Sequence, residues 1–118
     1  MRFKDIFKIW WRKKPVARSW EYTAVVPVSS MSEIPDGDLK QKIYLVSRGG
    51  KNRWLVLDCP QGHGKRIEVN LMQSSNPVWE LTQKNGKVSL YPSVAVASDQ
   101  CNCHFWLKNN VAHEAFWI

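Results

Sequence analysis

The sequence Cys-Asn-Cys-His-Phe-Trp at residues 101–106 holds two cysteines and a histidine within one short segment. The remaining cysteine, Cys59, lies far upstream in Cys-Pro-Gln-Gly-His-Gly, beside a second histidine, His63. Zinc binds four thiolate or imidazole ligands in a tetrahedron, and small domains supply these ligands as closely spaced pairs on tight turns. The two clusters therefore predict one structural zinc site that joins two distant parts of the chain.

The candidate zinc ligands outnumber the four places in a tetrahedral site. Cys59 and His63 would form one half, and Cys101 with either Cys103 or His104 would form the other. Glycines at 62 and 64 favour a tight turn around the first half, because glycine adopts positive φ without a steric penalty. The alternative is that the three cysteines are small buried hydrophobic side chains, a common environment for cysteine.

Composition limits the class of protein. The chain has 118 residues, of which 44% are hydrophobic and seven are tryptophan, so we expect a globular protein with one main domain. Three cysteines, an odd number, disfavour a disulfide framework. Because no secretory signal is evident, we expect a reducing, cytoplasmic environment in which thiols bind metal or react.

The net charge of +7 is concentrated at the N-terminus. Residues 1–20 carry seven basic side chains against Asp5, a net charge of +6, whereas the remaining ten basic and nine acidic residues give +1. Specific nucleic-acid binding requires a basic face on the folded domain. The sequence therefore predicts no nucleic-acid partner and places any attraction to anionic surfaces in the N-terminal arm.

The N-terminal arm, residues 1–20, has the pattern of an amphipathic helix. Phe3, Ile6, Phe7 and Trp10 recur at helical spacing among basic residues, and Pro15 should end the helix. Two interpretations stay open. Residues 1–18 bind an anionic membrane surface, with the domain peripheral to it, or the helix docks on protein. The apolar run is too short for a transmembrane span.

The sequence of residues 21–118 predicts a single, mostly β domain that is built of antiparallel hairpins and stabilised by zinc. A loop at 29–38 follows the first predicted strand, and turn residues at 48–52 and Asn85-Gly86 predict two hairpins. The predicted strands span 23–28, 43–46, 54–57, 67–71, 79–81, 88–91, 94–97 and 105–107, with a terminal strand ending at 118.

A hydrolytic site is also conceivable from the sequence. Ser93 follows a strand and His104 comes one turn and one strand later, so the fold could bring a nucleophile and a base together. The alternative is that Ser93 is a turn hydroxyl and His104 a zinc ligand. Cys59 or Cys101 as a nucleophile is less favoured, because zinc would occupy the thiolate. His113-Glu114 resembles the start of the zinc protease motif His-Glu-x-x-His, but the second histidine, four residues after the first, is absent here.

Several motifs, taken in order, resemble a known family. They are WLVLDCPQGHG at 54–64, the Trp79 strand with Asn85-Gly86, VSLYPSV at 88–94, and CNCHFWL at 101–107 before a terminal tryptophan strand. This order is similar to the BubE-type family, the deubiquitinase-like component of bacterial ubiquitination-like operons, over about residues 40–118. The resemblance implies a serine peptidase that releases ubiquitin-like proteins, with Ser93 and His104 as catalytic partners.

The chain departs from the family pattern at the proposed metal site. Family members typically have Cys-Pro-Cys-Gly-Cys-Gly at the first cluster, where Gln61 and His63 replace thiols here, and serine where Cys103 stands. If His104 is the base, the resemblance leaves Cys59, His63, Cys101 and Cys103 as the zinc ligands. If His104 binds zinc, the protein is a non-catalytic binding module.

The resulting hypothesis is a zinc-stabilised serine-type peptidase acting on a ubiquitin-like protein, as its precursor or in conjugates. The activating and conjugating enzymes of the same pathway are further expected partners. Backbone N–H groups of the metal loop, the segment between the strands 94–97 and 105–107, are expected to stabilise the oxyanion. Asp58 and Asp99 are the nearest carboxylates in sequence for orienting the histidine, although neither is selected by spacing. The competing hypothesis is an adaptor that binds a partner or membrane through tryptophans or the N-terminal helix.

Overall fold

The computed structural model describes residues 19–60, 65–73, 78–97 and 102–115. The predicted amphipathic helix lies outside the described residues. Within these ranges the chain forms strands and one short 3-10 helix, Met31–Glu33. The strands are β1 Ser19–Glu21, β2 Ala24–Val28, β3 Lys42–Arg48, β4 Lys51–Asp58, β5 Arg66–Asn70, β6 Glu80–Lys84, β7 Lys87–Tyr91, β8 Val94–Ala97, β9 Asn102–Lys108 and β10 Val111–Glu114.

The strands form two four-stranded sheets and one two-stranded ribbon. The first sheet has the order β1-β10-β9-β8, the second sheet has the order β2-β3-β4-β5, and β6 pairs with β7. Tight turns explain the local pairing. Gly49 and Gly50 join β3 to β4 with φ of 63° and 76°, and Asn85 and Gly86 join β6 to β7 with φ of 54° and 75°. Positive φ at both central residues is typical of a type I′ turn, whose backbone twist matches the right-handed twist of the two strands that it joins.

The prediction of a mostly β fold is confirmed, but a purely hairpin-built architecture is wrong at one place. β2 pairs with β3 in parallel, with Ala24 opposite Lys42 and Val28 opposite Val46. A parallel neighbour cannot be reached by a tight turn, so the chain must cross over before it returns. The segment 29–41, predicted as part of a loop, makes that crossover.

The main core lies between the two sheets. Strand alternation sends every second side chain of β4 and β9 inward, and these side chains are nearly inaccessible to solvent. The β6–β7 ribbon adds Val88 and Leu90 to the same cluster. The other buried members include Ile43, Leu45, Leu55, Leu57, Ile67, Val69, Phe105, Leu107 and the two described cysteines, Cys59 and Cys103.

The second sheet is covered on its other face as well. Ile34 and Leu39 from the crossover pack on Tyr44, Val46 and Val56, which point away from the main core. Burial on both faces explains why Ile43 through Val46 are all buried in β3. The crossover therefore belongs to the packed structure of the second sheet.

The first sheet includes residues that precede position 21, where the β domain was predicted to begin. β1 begins at Ser19, and Trp20 pairs with Ala112 of β10. In the part of the chain that the structure describes, no helix has the length and apolar character needed to cross a bilayer.

Candidate functional site

Ser93 lies in the connection between the β6–β7 ribbon and the first sheet. β7 ends at Tyr91, β8 begins at Val94, and the peptide bond between Tyr91 and Pro92 is cis. The Trp79 indole N–H donates to the Ser93 carbonyl oxygen at 3.4 Å. This contact ties the Ser93 backbone to the residue that precedes β6, so both ribbon strands support the position of the serine.

The Ser93 hydroxyl contacts an imidazole. Its Oγ lies 2.7 Å from Nε2 of His104, and both side chains are partly buried. The Nδ1 atom of the same ring is buried. In the tautomer that carries the ring proton on Nδ1, Nε2 accepts the hydrogen bond from the serine hydroxyl. The pair then has the arrangement of a nucleophile held against its general base.

The β8–β9 register explains how these two side chains meet. Ala95 lies opposite His104, and Ser93 precedes Ala95 by two residues, so all three share the face that points away from the main core. We call this the outer face of the first sheet. The methyl group of Ala95 is the smallest side chain that could stand across from the ring. It leaves space for the imidazole to reach diagonally to Ser93, a separation that long side chains span.

Strand alternation separates Cys103 from His104. Cys103 points inward, where it is 2% exposed, whereas His104 points to the outer face. Successive side chains of a strand point to opposite faces, so these neighbours are directed toward two different sites. The geometry places the imidazole with the serine and the thiol with the core.

Cys103 meets Cys59 inside the core. Their sulfur atoms lie 3.7 Å apart, and Cys59 is 4% exposed. Two thiolates bound to one tetrahedral zinc at about 2.3 Å would have sulfurs about 3.8 Å apart. The pair therefore fits as half of a zinc site, and the same distance also suits two thiols in contact. His63 and Cys101, the other predicted ligands, lie outside the described residues.

Within the described ranges, no group of three or more histidine, cysteine, aspartate or glutamate side chains could hold a metal. Tyr22 lies beside the cysteine pair, and its hydroxyl donates to the Asp58 carbonyl oxygen at 2.7 Å. Burial raises the pKa of Tyr22, and negative charge on Cys59, Asp58 and Cys103 raises it further. The phenol is therefore a protonated donor next to the two sulfurs.

Asp58 does not reach the imidazole. Its Oδ2 accepts the backbone N–H of Leu39 at 2.8 Å, and Leu39 belongs to the cluster on the far face of the second sheet. The whole core therefore lies between Asp58 and the outer face of the first sheet. Asp99, the other carboxylate suggested by sequence, lies outside the described residues. Of the metal loop expected to supply oxyanion donors, residues 98–101 lie outside them too, and residues 102–104 belong to β9.

Sequence reasoning missed the contact that positions Ser93. Trp79 was assigned only to a strand, yet its indole N–H bonds the Ser93 carbonyl. The available signal was general: a tryptophan packed against a core needs an acceptor for its N–H.

A hydroxyl hydrogen-bonded to an imidazole is the arrangement found in one class of enzymes, the serine hydrolases, in which the imidazole activates the hydroxyl. The comparison with protein families agrees with this class. The family model described as bacterial ubiquitination-like system serine protease (BubE) matches residues 30–115, and the chain belongs to this family. The match begins ten residues before the region of resemblance found in the sequence, about residues 40–118, and includes most of the crossover. Comparisons with curated proteins and with solved structures gave no significant match.

Proposed function

We propose that this chain is a zinc-stabilised serine-type hydrolase that releases a bacterial ubiquitin-like protein from its precursor or its conjugates. The observation that carries the proposal is the 2.7 Å contact between Ser93 Oγ and His104 Nε2. Membership of a serine protease family from a ubiquitination-like system supports the substrate class. The activating and conjugating enzymes of that system are proposed as further partners.

In the first half of the reaction, Ser93 Oγ attacks the carbonyl carbon at the C-terminus of the ubiquitin-like protein. Nε2 of His104 takes the hydroxyl proton as the new C–O bond forms. The tetrahedral intermediate then collapses, and the imidazolium gives its proton to the leaving amine or alcohol. The products of this half are an acyl ester on Ser93 and the released leaving group.

In the second half, water replaces the leaving group. His104 takes a proton from the water, whose oxygen attacks the acyl carbon, and the imidazolium returns the proton to Ser93 Oγ as the ester breaks. The free carboxylate of the ubiquitin-like protein leaves, and the enzyme regains its starting protonation state. Backbone N–H groups of the metal loop are proposed as the oxyanion donors.

Zinc is proposed as a structural ion that takes no part in these steps. Cys59 and Cys103 would bind it from the core side of β9, with His63 and Cys101 as the remaining ligands. The 3.7 Å separation of the two sulfurs supports this assignment. Zinc bound there would fix the start of β9 and thereby the position of His104 relative to Ser93.

Covalent labelling with a serine-directed fluorophosphonate tests the proposed function. Wild-type protein should be modified at Ser93, Ser93→Ala should not react, and labelling of His104→Ala should slow by about 10² to 10⁴, the usual contribution of a general base. Ser47→Ala is a matched control, because Ser47 bonds Asn52 in the second sheet, far from this site. A folded wild-type protein that is not labelled at all would favour the adaptor hypothesis.

A further inference from the structure

Three large apolar side chains among the described residues are exposed. They are Val78, Tyr91 and Trp106, with exposed fractions of 45%, 65% and 42%. Val78 lies beside Leu71 and Gln73, on a different part of the surface. Tyr91 precedes Ser93 by two residues, and Trp106 follows His104 by two. The other described aromatic side chains are buried or partly buried. Apolar exposure concentrated at one place commonly marks a binding surface.

Trp106 shares the outer face with His104. It follows His104 by two residues in β9, which places it about 7 Å further along the strand. One step beyond the registered pair of Val94 and Phe105, the β8–β9 pairing brings Ser93 opposite Trp106. The tryptophan therefore stands beside both members of the Ser93–His104 pair.

Tyr91 completes an aromatic surface with Trp106. Their ring centroids lie 6.2 Å apart, with an angle of 35° between the ring planes. At this distance the two rings are in contact, and together they form one continuous exposed aromatic surface. We call Tyr91 and Trp106 the aromatic pair.

We infer that the aromatic pair binds an apolar side chain of the substrate protein's C-terminal tail, within about two residues of the scissile carbonyl. Two residues of extended chain span about 7 Å, the same separation as that between His104 and Trp106 along β9. This inference rests on the proposed function. We assign this side chain to the part of the substrate that acylates Ser93, the tail of the ubiquitin-like protein. That tail is common to the precursor and to every conjugate, whereas the leaving groups differ.

The chemistry of the aromatic pair sets the expected preference. Aliphatic side chains gain contact and desolvation against exposed ring faces, whereas a charged side chain loses hydration there. Glu80 lies opposite Tyr91 and His113 lies opposite Trp106, so polar side chains border the aromatic pair. Because the aromatic pair is an exposed surface and not an enclosed pocket, the discrimination between a large aliphatic side chain and a methyl group should be about tenfold, the low end of what enclosed pockets achieve.

Two matched esters test the inference on the full chain. They are the p-nitrophenyl esters of N-acetyl-leucyl-alanine and N-acetyl-alanyl-alanine, which differ only in the side chain next to the reacting residue. The ratio of their kcat/KM values should be about ten in the wild type. It should fall to about one in Trp106→Ala, mainly through KM, and stay near ten in Trp106→Phe, which keeps a ring.

Each variant supplies both rates for its own ratio, so a change in general activity does not affect the result. Tyr91→Ala is the second test variant, because its exposed side chain at the end of β7 contributes little to folding. Lys108→Ala is the control: it lies on the same strand and face, two residues beyond Trp106, and should keep the wild-type ratio.

Failure of this inference and failure of the proposed function give different results. A wild type that hydrolyses both esters through Ser93 with a ratio near one, or a ratio of ten that survives Trp106→Ala and Tyr91→Ala, would overturn the aromatic pair as the binding site and leave the hydrolase intact. A folded wild type that hydrolyses neither ester would overturn the proposed function and this inference with it.

Discussion

Asn110 connects three parts of the structure through one residue. It is 4% exposed, and its Oδ1 accepts the Val88 backbone N–H at 2.8 Å. Its own backbone N–H donates to the Val88 carbonyl at 2.9 Å, and its carbonyl accepts the Tyr22 N–H at 2.8 Å. The β9–β10 turn is thereby fixed to β7 and to the segment that follows β1.

Replacing Asn110 with alanine should destabilise the protein by about 1–3 kcal/mol, because the Val88 N–H would stay buried without its acceptor. The loss would be seen as a lower urea midpoint. Asn109→Ala is the control, since Asn109 also has positive φ, 49° against 67° for Asn110, but is exposed. Equal losses in the two variants would show that backbone conformation, and not the side-chain acceptor, accounts for the effect.

His104 and its neighbour Cys103 should respond in opposite ways to mutation. His104→Ala should lose hydrolysis while keeping zinc and its melting temperature, because the imidazole points to the outer face. Cys59→Ser and Cys103→Ser should lose zinc and cooperative unfolding. A structural zinc contributes on the order of 10 kcal/mol in small peptides, comparable to the whole stability of a domain. Metal analysis of the three purified proteins checks this prediction, and a zinc-free His104→Ala would contradict it.

The meeting of Ser93 and His104 was predictable from the sequence, but the face of β9 on which His104 lies was not. The sequence predicts Ser93 in a turn and His104 in the metal loop before the strand at 105–107, whereas the structure places His104 within β9. The predicted path of strand, turn and strand was enough to suggest that the two residues meet. The sequence left open whether His104 joins the thiols, because that depends on which face of β9 each side chain occupies. The cross-strand register with Ala95, a tertiary feature, determines this face.

Among the secondary-structure elements, the crossover between β2 and β3 begins with a short capped helix. Oε2 of Glu33 accepts the Ser29 N–H at 2.6 Å, the Ser29 hydroxyl at 2.7 Å and the Ser30 N–H at 2.9 Å. The hydrogen bond from the Ser29 hydroxyl and those from the Ser29 and Ser30 N–H groups lower the pKa of Glu33. The ionised carboxylate thus holds the first turn of the crossover.

The lowered pKa of Glu33 predicts a pH dependence. Its contribution to stability is fully present above the pKa of the unfolded chain and is lost as pH falls through the lower pKa of the folded state. Glu33→Gln should therefore lower the urea midpoint at pH 7 and have less effect in strong acid. Ser29→Ala, which removes the largest cause of the shift, should change the midpoint in the same direction. A Glu33→Gln effect of equal size at pH 7 and in strong acid would contradict this account.

The crossover also shows where element-level prediction fails. Proline, glycine and aspartate near its centre are typical of a loop, and this hides the packing role of Ile34 and Leu39, which are 6% and 1% exposed. Strand positions in β3, β4 and β8 followed from β-branched runs and turn residues. The parallel partner of β3 could not be predicted, because it depends on contacts between distant residues.

At the scale of the whole molecule, the charge distribution separates the N-terminal arm from the proposed chemistry. β1 begins at Ser19, so removing residues 1–18 leaves the first sheet with all its described strands. The truncated protein should keep its zinc, its fold and its fluorophosphonate labelling. Binding to anionic vesicles should fall, and the full chain's binding should weaken with salt, which screens exposed charges.

Vesicle co-sedimentation of the full and truncated chains measures this difference. Neutral vesicles are the control for attraction that does not depend on lipid charge. Equal binding of both chains to anionic vesicles would contradict the role predicted for the arm.

Trapping the acyl intermediate tests the central claim, that Ser93 is a nucleophile activated by His104. Wild-type protein mixed with p-nitrophenyl acetate and quenched early should carry a single acetyl group, which peptide mapping places on Ser93. Ser93→Ala should carry none, and His104→Ala should acylate more slowly by about 10² to 10⁴. Acetylation of Cys59 in place of Ser93, or a Ser93→Ala variant that hydrolyses the ester at the wild-type rate, would contradict the account.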